Sequence, residues 1–150
     1  MNEPRQLVRG KAFHARVQEE WLTDTFGAAV SERNTVEVEH LNVFRQGRMD
    51  VRMIDPDEPM AFVVEIKDSD FDSMTAIRIR RNVARHRLQV SRYGETLLNI
   101  PDNKIEFVCL AIVYSTEPKE MSQRDSIERY LGEYMVSTYW HNTQRAAPLF

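Results

Sequence analysis

A long helical pattern between two strand-like segments is the feature that most restricts the fold of this chain. Residues 71–98 carry apolar side chains at spacings of three, four and seven, which places those side chains on one face of a helix. The segments on either side, 60–68 and 104–114, are rich in the apolar and β-branched residues that favour strands. Strands joined by such a crossover pair in parallel. The sequence therefore predicts a helix that crosses between two parallel strands, the second of them buried on both faces. The core-facing positions of this helix are Ala76, Ile79, Val83, His86, Val90 and Leu97, and Gly94 is expected to weaken its last turn.

Further elements are predicted on both sides of this unit. Helical spacing of apolar residues covers 7–26, and strand-like patterns cover 35–44 and 48–54. A final helix is predicted from Gln123 to about Trp140, with Ser122 as its N-cap, and no regular structure is expected in the last ten residues. The order of helix, three strands, helix, strand and helix predicts an α/β fold with a mixed sheet and helices on both faces.

Composition places the chain among ordinary globular proteins. Its 150 residues are 42% hydrophobic and 29% charged, which suits a single domain over 1–150. No apolar stretch is long enough to span a bilayer and the N-terminus lacks a secretory pattern, so a cytoplasmic protein without a membrane partner is expected. The single cysteine, Cys109, excludes an internal disulfide, and its position in an apolar run predicts a buried, unreactive thiol.

A basic segment lies within this acidic chain. The net charge is −3, yet residues 78–92 contain six arginines and no acid. Guanidinium groups bind phosphate bidentately, and it is the local field that attracts a polyanion. The expected phosphate contacts are Arg78, Arg81, Arg85 and Arg92, although these side chains have the alternative of pairing with the acids of the chain.

The strand at 60–68 brings acidic and basic side chains to one face. Successive side chains of a strand alternate, so Glu65 and Lys67 share one face while Ile66 lies on the other. The preceding strand forms a hairpin with this one and adds Asp50 on the same functional side. Two carboxylates and the carbonyl of Ile66 suit Mg²⁺ or Mn²⁺, which activates water, and Lys67 neutralises charge that develops on a phosphate. The alternative is a solvated Glu65–Lys67 ion pair worth under about 1 kcal/mol.

Four elements together resemble the PD-(D/E)XK nuclease superfamily. Asp50 on the second strand and Glu65-Ile66-Lys67 on the third match its short motif. Residues 89–93, Gln-Val-Ser-Arg-Tyr, are similar to the Q-x-x-x-Y signature of its RecB-like, lambda-exonuclease-like branch. Residues 10–14, Gly-Lys-Ala-Phe-His, resemble the G-x-x-x-H element of the same branch. The resemblance covers about residues 10 to 114.

The resemblance implies a restriction-endonuclease-like α-β-β-β-α-β core with an additional C-terminal helix, and metal-dependent hydrolysis of DNA. The implied catalytic residues are Asp50, Glu65, Lys67, Gln89 and Tyr93. The implied metal ligands are His14, Asp50, Glu65 and the carbonyl of Ile66, with Glu19 or Glu20 as alternatives to His14. The iron–sulfur cluster of some members requires four cysteines, so the single cysteine excludes one here.

The face of the crossover helix that carries the Q-x-x-x-Y signature has a predicted role of its own. Gln89 and Tyr93 are four residues apart and continue a ridge formed by Arg81 and Arg85. This ridge is expected to contact the substrate backbone and to position Lys67. The alternative is an ordinary solvated helix face with a packed tyrosine.

Three functions stay open at this point. The first is a stand-alone DNA nuclease, for which end-dependent (exonuclease) action is favoured only by the resemblance. The second is a toxin or defence nuclease that cuts tRNA or cellular DNA. The third is a nuclease-like fold that binds nucleic acid or a protein partner without catalysis. The sequence decides neither between DNA and RNA nor on an oligomeric state.

Overall fold

A computed structural model describes residues 9, 12–13, 15–16, 35–41, 48–54, 59–99 and 105–147. In this part of the chain six strands form one mixed sheet with helices packed against it, which confirms the predicted α/β class. The strands are Thr35–Leu41 (β1), Arg48–Ile54 (β2), Met60–Lys67 (β3), Phe107–Tyr114 (β4), Val136–Trp140 (β5) and Arg145–Ala147 (β6). The helices are Ala76–Leu98, here called the crossover helix, and Met121–Glu133, here called the C-terminal helix; a short 3-10 turn covers Phe71–Ser73. Arg9, Ala12, Phe13, Ala15 and Arg16 are helical, within the helix predicted over 7–26.

The strands lie in the order β1-β2-β3-β4-β5-β6. The first three form an antiparallel meander, β3 pairs parallel with β4, β4 pairs parallel with β5, and β6 returns antiparallel. The predicted parallel pairing across the crossover helix is confirmed. Because β3, β4 and β5 run in the same direction, their carboxyl ends meet at one edge of the sheet, which is where open α/β sheets bind ligands.

The crossover helix packs closely on the sheet. The Thr75 side chain caps its first turn by accepting a hydrogen bond from the Arg78 backbone N–H at 3.2 Å. The predicted core positions are buried except Ala76 in the first turn, which is exposed. Gly94 does not end the helix: a Cβ there would lie 2.8 Å from Leu110 Cδ2. The glycine therefore permits the close approach of this helix to β4.

Two predictions for the C-terminal part are wrong. The final helix begins after an N-cap at Glu120 rather than at Ser122, and it ends at Glu133 rather than near Trp140. Met135 then adopts a left-handed backbone with φ 60°, and β5 follows. Alternate side chains of β5 are buried, as the period of two in a half-buried strand requires. The last ten residues also contain regular structure, the strand β6.

The sheet has an apolar cluster on each face. Ala61 and Val63 of β3 pack with the crossover and C-terminal helices, and Val64 and Ile66 pack with Phe13. The first residues of β4 are not buried on both faces as predicted. Phe107 is 61% exposed, and Cys109, which was predicted to be buried, is exposed. The reason is that the pairing of β4 with β5 begins only at Leu110, so earlier residues have a neighbouring strand on one side alone. None of the described helices is long and apolar enough to cross a membrane.

Candidate active site

Lys67 is the last residue of β3 and contacts two of the predicted site residues. Its Nζ donates a hydrogen bond to Gln89 Oε1 at 2.7 Å and lies 3.8 Å from Glu65 Oε2. The prediction that Glu65 and Lys67 share one face of the strand is therefore confirmed. Glu65 is only 1% exposed, so the pair is not a solvated surface ion pair. Burial of a carboxylate is costly without compensating charge, and the Lys67 ammonium supplies that charge.

The crossover helix extends this contact by one more hydrogen bond. Gln89 Nε2 donates to Tyr93 OH at 3.3 Å, across one helical turn. Glu65, Lys67, Gln89 and Tyr93 thus form a continuous polar chain from the sheet to the helix. Tyr93 is buried in the core cluster, so the far end of this chain is fixed by packing. The predicted approach of Gln89 to Lys67 is confirmed.

The backbone register places Asp50 next to this chain. Val51 of β2 lies opposite Val64 of β3 in the antiparallel pair, and the next step of the same register brings Asp50 opposite Glu65. The Lys67 carbonyl accepts a hydrogen bond from Ser115 N–H at 3.0 Å, on the β4 side. Because carbonyl directions alternate along a strand, the Ile66 carbonyl points to the β2 side, where Asp50 lies. The side chain of Asp50 is outside what the structure describes.

The ligand predicted on the first helix also lies outside the described residues, as do its alternatives Glu19 and Glu20. Phe13, which precedes His14, packs against Val64 and Ile66, on the sheet face opposite to Glu65 and Lys67. Among the side chains that the structure describes, no three histidine, cysteine or acidic residues lie close enough together to hold a metal ion. Of the predicted metal ligands, the two whose donor atoms the structure describes are the Glu65 carboxylate and the Ile66 carbonyl, both of them oxygen ligands.

A buried polar pair lies beside Lys67 and was not predicted from the sequence. His86 Nδ1 and Tyr114 OH are 2.9 Å apart. Burial, together with the charges of Lys67 and Arg85, lowers the pKa of His86 to about 3, and burial raises the pKa of Tyr114. The sequence indicated His86 only as a core position, because nothing in it reports that β4 ends with Tyr114 opposite Lys67 in the parallel register.

The four arginines predicted to contact phosphate are all exposed on the crossover helix. Within the described residues none of them forms an ion pair; Arg85 Nη2 donates to Asn82 Oδ1 at 2.6 Å. A cleft of about 450 Å³ is lined by Arg85, Leu88, Gln89, Arg92 and Tyr93. This cleft joins two of the arginines to Gln89, the residue that holds Lys67.

A scan against protein-family models finds no model that matches this chain, and searches of curated proteins and of solved structures also return no match. The function of the chain is therefore inferred from its own residues.

Proposed function

We propose that this protein is a divalent-metal-dependent nuclease that hydrolyses phosphodiester bonds of DNA, on a core arranged as in restriction endonucleases. The observation that best supports this proposal is the placement of Lys67. Its ammonium is held by Glu65 and Gln89 at the carboxyl edge of the parallel strands, beside a cleft lined by two arginines. A carboxylate, a fixed ammonium and exposed guanidinium groups together match what phosphodiester hydrolysis requires.

The proposed metal ligands are Asp50, Glu65 and the carbonyl of Ile66, completed by His14 or by Glu19 or Glu20. Residues that lie opposite each other in an antiparallel ladder have Cβ atoms about 5 Å apart, which suits two carboxylates that share one cation. Mg²⁺ or Mn²⁺ held by these residues would polarise the phosphate and lower the pKa of a bound water. End-dependent (exonuclease) action is proposed on the resemblance alone, since no described residue indicates how a DNA end is held.

The remaining site residues act on the phosphate. Lys67 is a compact donor that neutralises charge on the non-bridging oxygens as the pentavalent transition state forms. Gln89 Oε1 accepts a hydrogen bond from one of the three ammonium N–H groups of Lys67, which leaves the other two to face Glu65, the substrate and water. Arg85 and Arg92 line the adjoining cleft and hold the flanking backbone phosphates.

The test is cleavage of linear and circular DNA with Mg²⁺ or Mn²⁺, comparing wild type with Glu65→Gln and Lys67→Ala. Both variants are expected to lose at least about a hundredfold in rate, because each removes a group that stabilises the transition state. Lys119→Ala, at an exposed position outside the site, is the matched control and is expected to cleave normally. Circular dichroism and thermal melting establish that the variants are folded.

The outcomes separate the alternatives. Loss of linear DNA alone indicates an exonuclease, and nicked circles indicate an endonuclease. Full activity in Lys67→Ala contradicts the proposed mechanism. If wild type cleaves neither DNA nor RNA in either metal, the proposed nuclease function is contradicted, and binding of nucleic acid or of a protein partner without turnover is the remaining alternative; salt-dependent DNA binding indicates the first of these.

A further inference from the structure

Two hydrogen bonds tie one turn of the crossover helix to the ends of two neighbouring strands. Gln89 contacts Lys67 at the end of β3, and His86 contacts Tyr114 at the end of β4. Lys67 and Tyr114 are direct partners in the parallel register, and His86 and Gln89 lie three residues apart, on the same side of the helix. The second contact therefore lies immediately beside the one that holds the Lys67 ammonium.

Tyr114 is a rigid support for this second contact. Its side chain is fully buried and packs against two other aromatic rings. The ring of Phe71 meets it edge-on with centroids 5.0 Å apart, and the ring of Trp140 stacks on it with centroids 5.3 Å apart. Because the ring is fully buried and packed against these two rings, the position of its hydroxyl oxygen is fixed, and that oxygen in turn orients the imidazole of His86.

The direction of the hydrogen bond follows from the same burial. Within the described residues the Tyr114 hydroxyl has His86 Nδ1 as its one hydrogen-bond partner. A buried hydroxyl that did not donate would leave its proton unsatisfied, so Tyr114 donates and Nδ1 accepts. The imidazole proton then lies on Nε2 and the ring is neutral. Of the charged side chains near His86, Lys67 approaches from β3 and Arg85 from its own helix, so a neutral ring adds no third positive charge there.

Stability alone does not account for a polar pair at this place. Replacing both partners of a buried hydrogen bond by apolar groups of the same shape is nearly neutral or even stabilising. A phenylalanine and a leucine would fill the same interface. Unlike two apolar residues, a hydrogen-bonded pair makes a directional contact, which restrains the rotation and height of the helical turn that carries Gln89.

We propose that Tyr114 and His86 are positioning residues that, through this turn of the crossover helix, aim the Lys67 ammonium at the scissile phosphate. This inference rests on the proposed nuclease function. Neither residue touches the substrate. Their effect reaches the reaction only through Gln89 and Lys67.

The first test uses Tyr114→Phe, which keeps the stacked ring and removes the hydroxyl. We expect kcat to fall about tenfold, the equivalent of 1.36 kcal/mol, with KM and Mn²⁺ affinity unchanged, because substrate and metal binding do not require an aimed ammonium. Thr138→Val is the matched control, since it removes a buried hydroxyl from the adjacent strand β5. That control is expected to keep the wild-type kcat.

A second variant separates positioning from folding. Tyr114→Phe with His86→Leu removes both polar partners, so its melting temperature is expected to match wild type while kcat remains low. Wild-type kcat in this double variant would overturn the proposal, and so would a loss of kcat that follows a loss of stability across the series.

A readout that needs no cleavage distinguishes this inference from the proposed function. Side-chain amide exchange of Gln89, followed by NMR, is expected to accelerate in Tyr114→Phe as the helical turn loosens. If wild type cleaves no nucleic acid, the proposed function fails, but the exchange rate of the Gln89 amide still tests whether the contact between His86 and Tyr114 restrains this turn of the helix. Unchanged exchange of the Gln89 amide in the variant would contradict the positioning role whatever the activity.

Discussion

His86 is an imidazole kept neutral inside the interface between sheet and helix. Its burial disfavours the charged form, and the positive charges of Lys67 and Arg85 disfavour it further, so its pKa falls to about 3. In the unfolded chain the same residue titrates near its ordinary value of about 6.5. Between these two values the unfolded state binds a proton that the folded state does not. Folding stability must therefore decrease as the pH falls from 6.5 towards 3.

This linkage predicts a difference between wild type and His86→Asn in urea unfolding. We expect wild type to lose about 2 kcal/mol more than the variant between pH 7 and pH 5, because asparagine does not titrate and its Oδ1, attached to Cγ as Nδ1 is, still accepts from Tyr114. Other groups that titrate in this range contribute equally to both proteins. The same slope of stability against pH in the two proteins would show that His86 charges freely in the folded state.

At the scale of secondary-structure elements, the glycines of the crossover helix and of the C-terminal helix have opposite environments. A Cβ at Gly94 would lie 2.8 Å from Leu110 Cδ2, whereas a Cβ at Gly132 in the C-terminal helix meets nothing within 4 Å. Alanine is favoured over glycine inside a helix by about 1 kcal/mol. That intrinsic gain is available at Gly132, and at Gly94 it is opposed by overpacking against β4, which costs about 1–3 kcal/mol.

Chemical denaturation of the two alanine variants tests this contrast. Gly132→Ala is expected to raise the free energy of unfolding by about 0.5–1 kcal/mol, and Gly94→Ala to fall at least about 1 kcal/mol below it. In a Leu110→Ala background the obstruction is gone, so there Gly94→Ala should become stabilising. A stabilising Gly94→Ala in the wild-type background would mean that Leu110 moves aside without cost.

The sequence predicts an element well when local periodicity determines it, and poorly when contacts with distant parts of the chain determine it. The crossover helix and the alternation of Glu65 and Lys67 are local patterns with periods of 3.6 and 2, and both were predicted. The stretch after Glu133 also has local helical spacing, but its alternating burial comes from β4 alongside it, which residues 123–140 alone do not report. Likewise, β6 is held by Arg145, which contacts Glu117 and Glu128 from distant parts of the chain.

The candidate site also has a part that follows from local patterns and a part that follows from long-range packing. The four members of the polar chain from Glu65 to Tyr93 were singled out in the sequence because strand and helix periodicity place them on one face of each element, and the resemblance gave their order. The contact between His86 and Tyr114 was not predicted, because it depends on the parallel register of β3 and β4 and on the rotation of the crossover helix. Both are outcomes of packing in the whole domain, where Gly94 and the aromatic cluster around Tyr114 set the distances.

At the scale of the whole molecule, charge is distributed unevenly. The chain has a net charge of −3, yet Arg78, Arg81, Arg85 and Arg92 are exposed together and pair with no acid in the described part of the chain. Arg124, in contrast, pairs with Glu117 at 3.0 Å and with Asp125 at 3.1 Å. Unpaired guanidinium groups displace counterions from a bound polyanion, whereas paired ones are already neutralised.

The salt dependence of DNA binding tests this distribution, with Ca²⁺ in place of Mg²⁺ to suppress cleavage. Arg85→Ala and Arg92→Ala are each expected to reduce the slope of log K against log salt by about 0.7–0.9, one phosphate contact each. Arg124→Ala is the control and is expected to leave the slope unchanged. Equal slopes in all three variants would place the nucleic acid on another surface.

The exposure of Cys109 has a practical consequence for measuring where a substrate lies. It is the sole cysteine of the sequence, and it sits on the same strand as Tyr114, five residues earlier, so about 16 Å from the end of β4. A thiol-reactive dye or spin label therefore attaches at one known point without any engineered mutation. Partial desolvation by the neighbouring residues still raises the pKa of this exposed thiol, so labelling is best done at mildly alkaline pH. Distances from that label to a second label on either end of an oligonucleotide would give the direction in which the bound strand runs across the sheet.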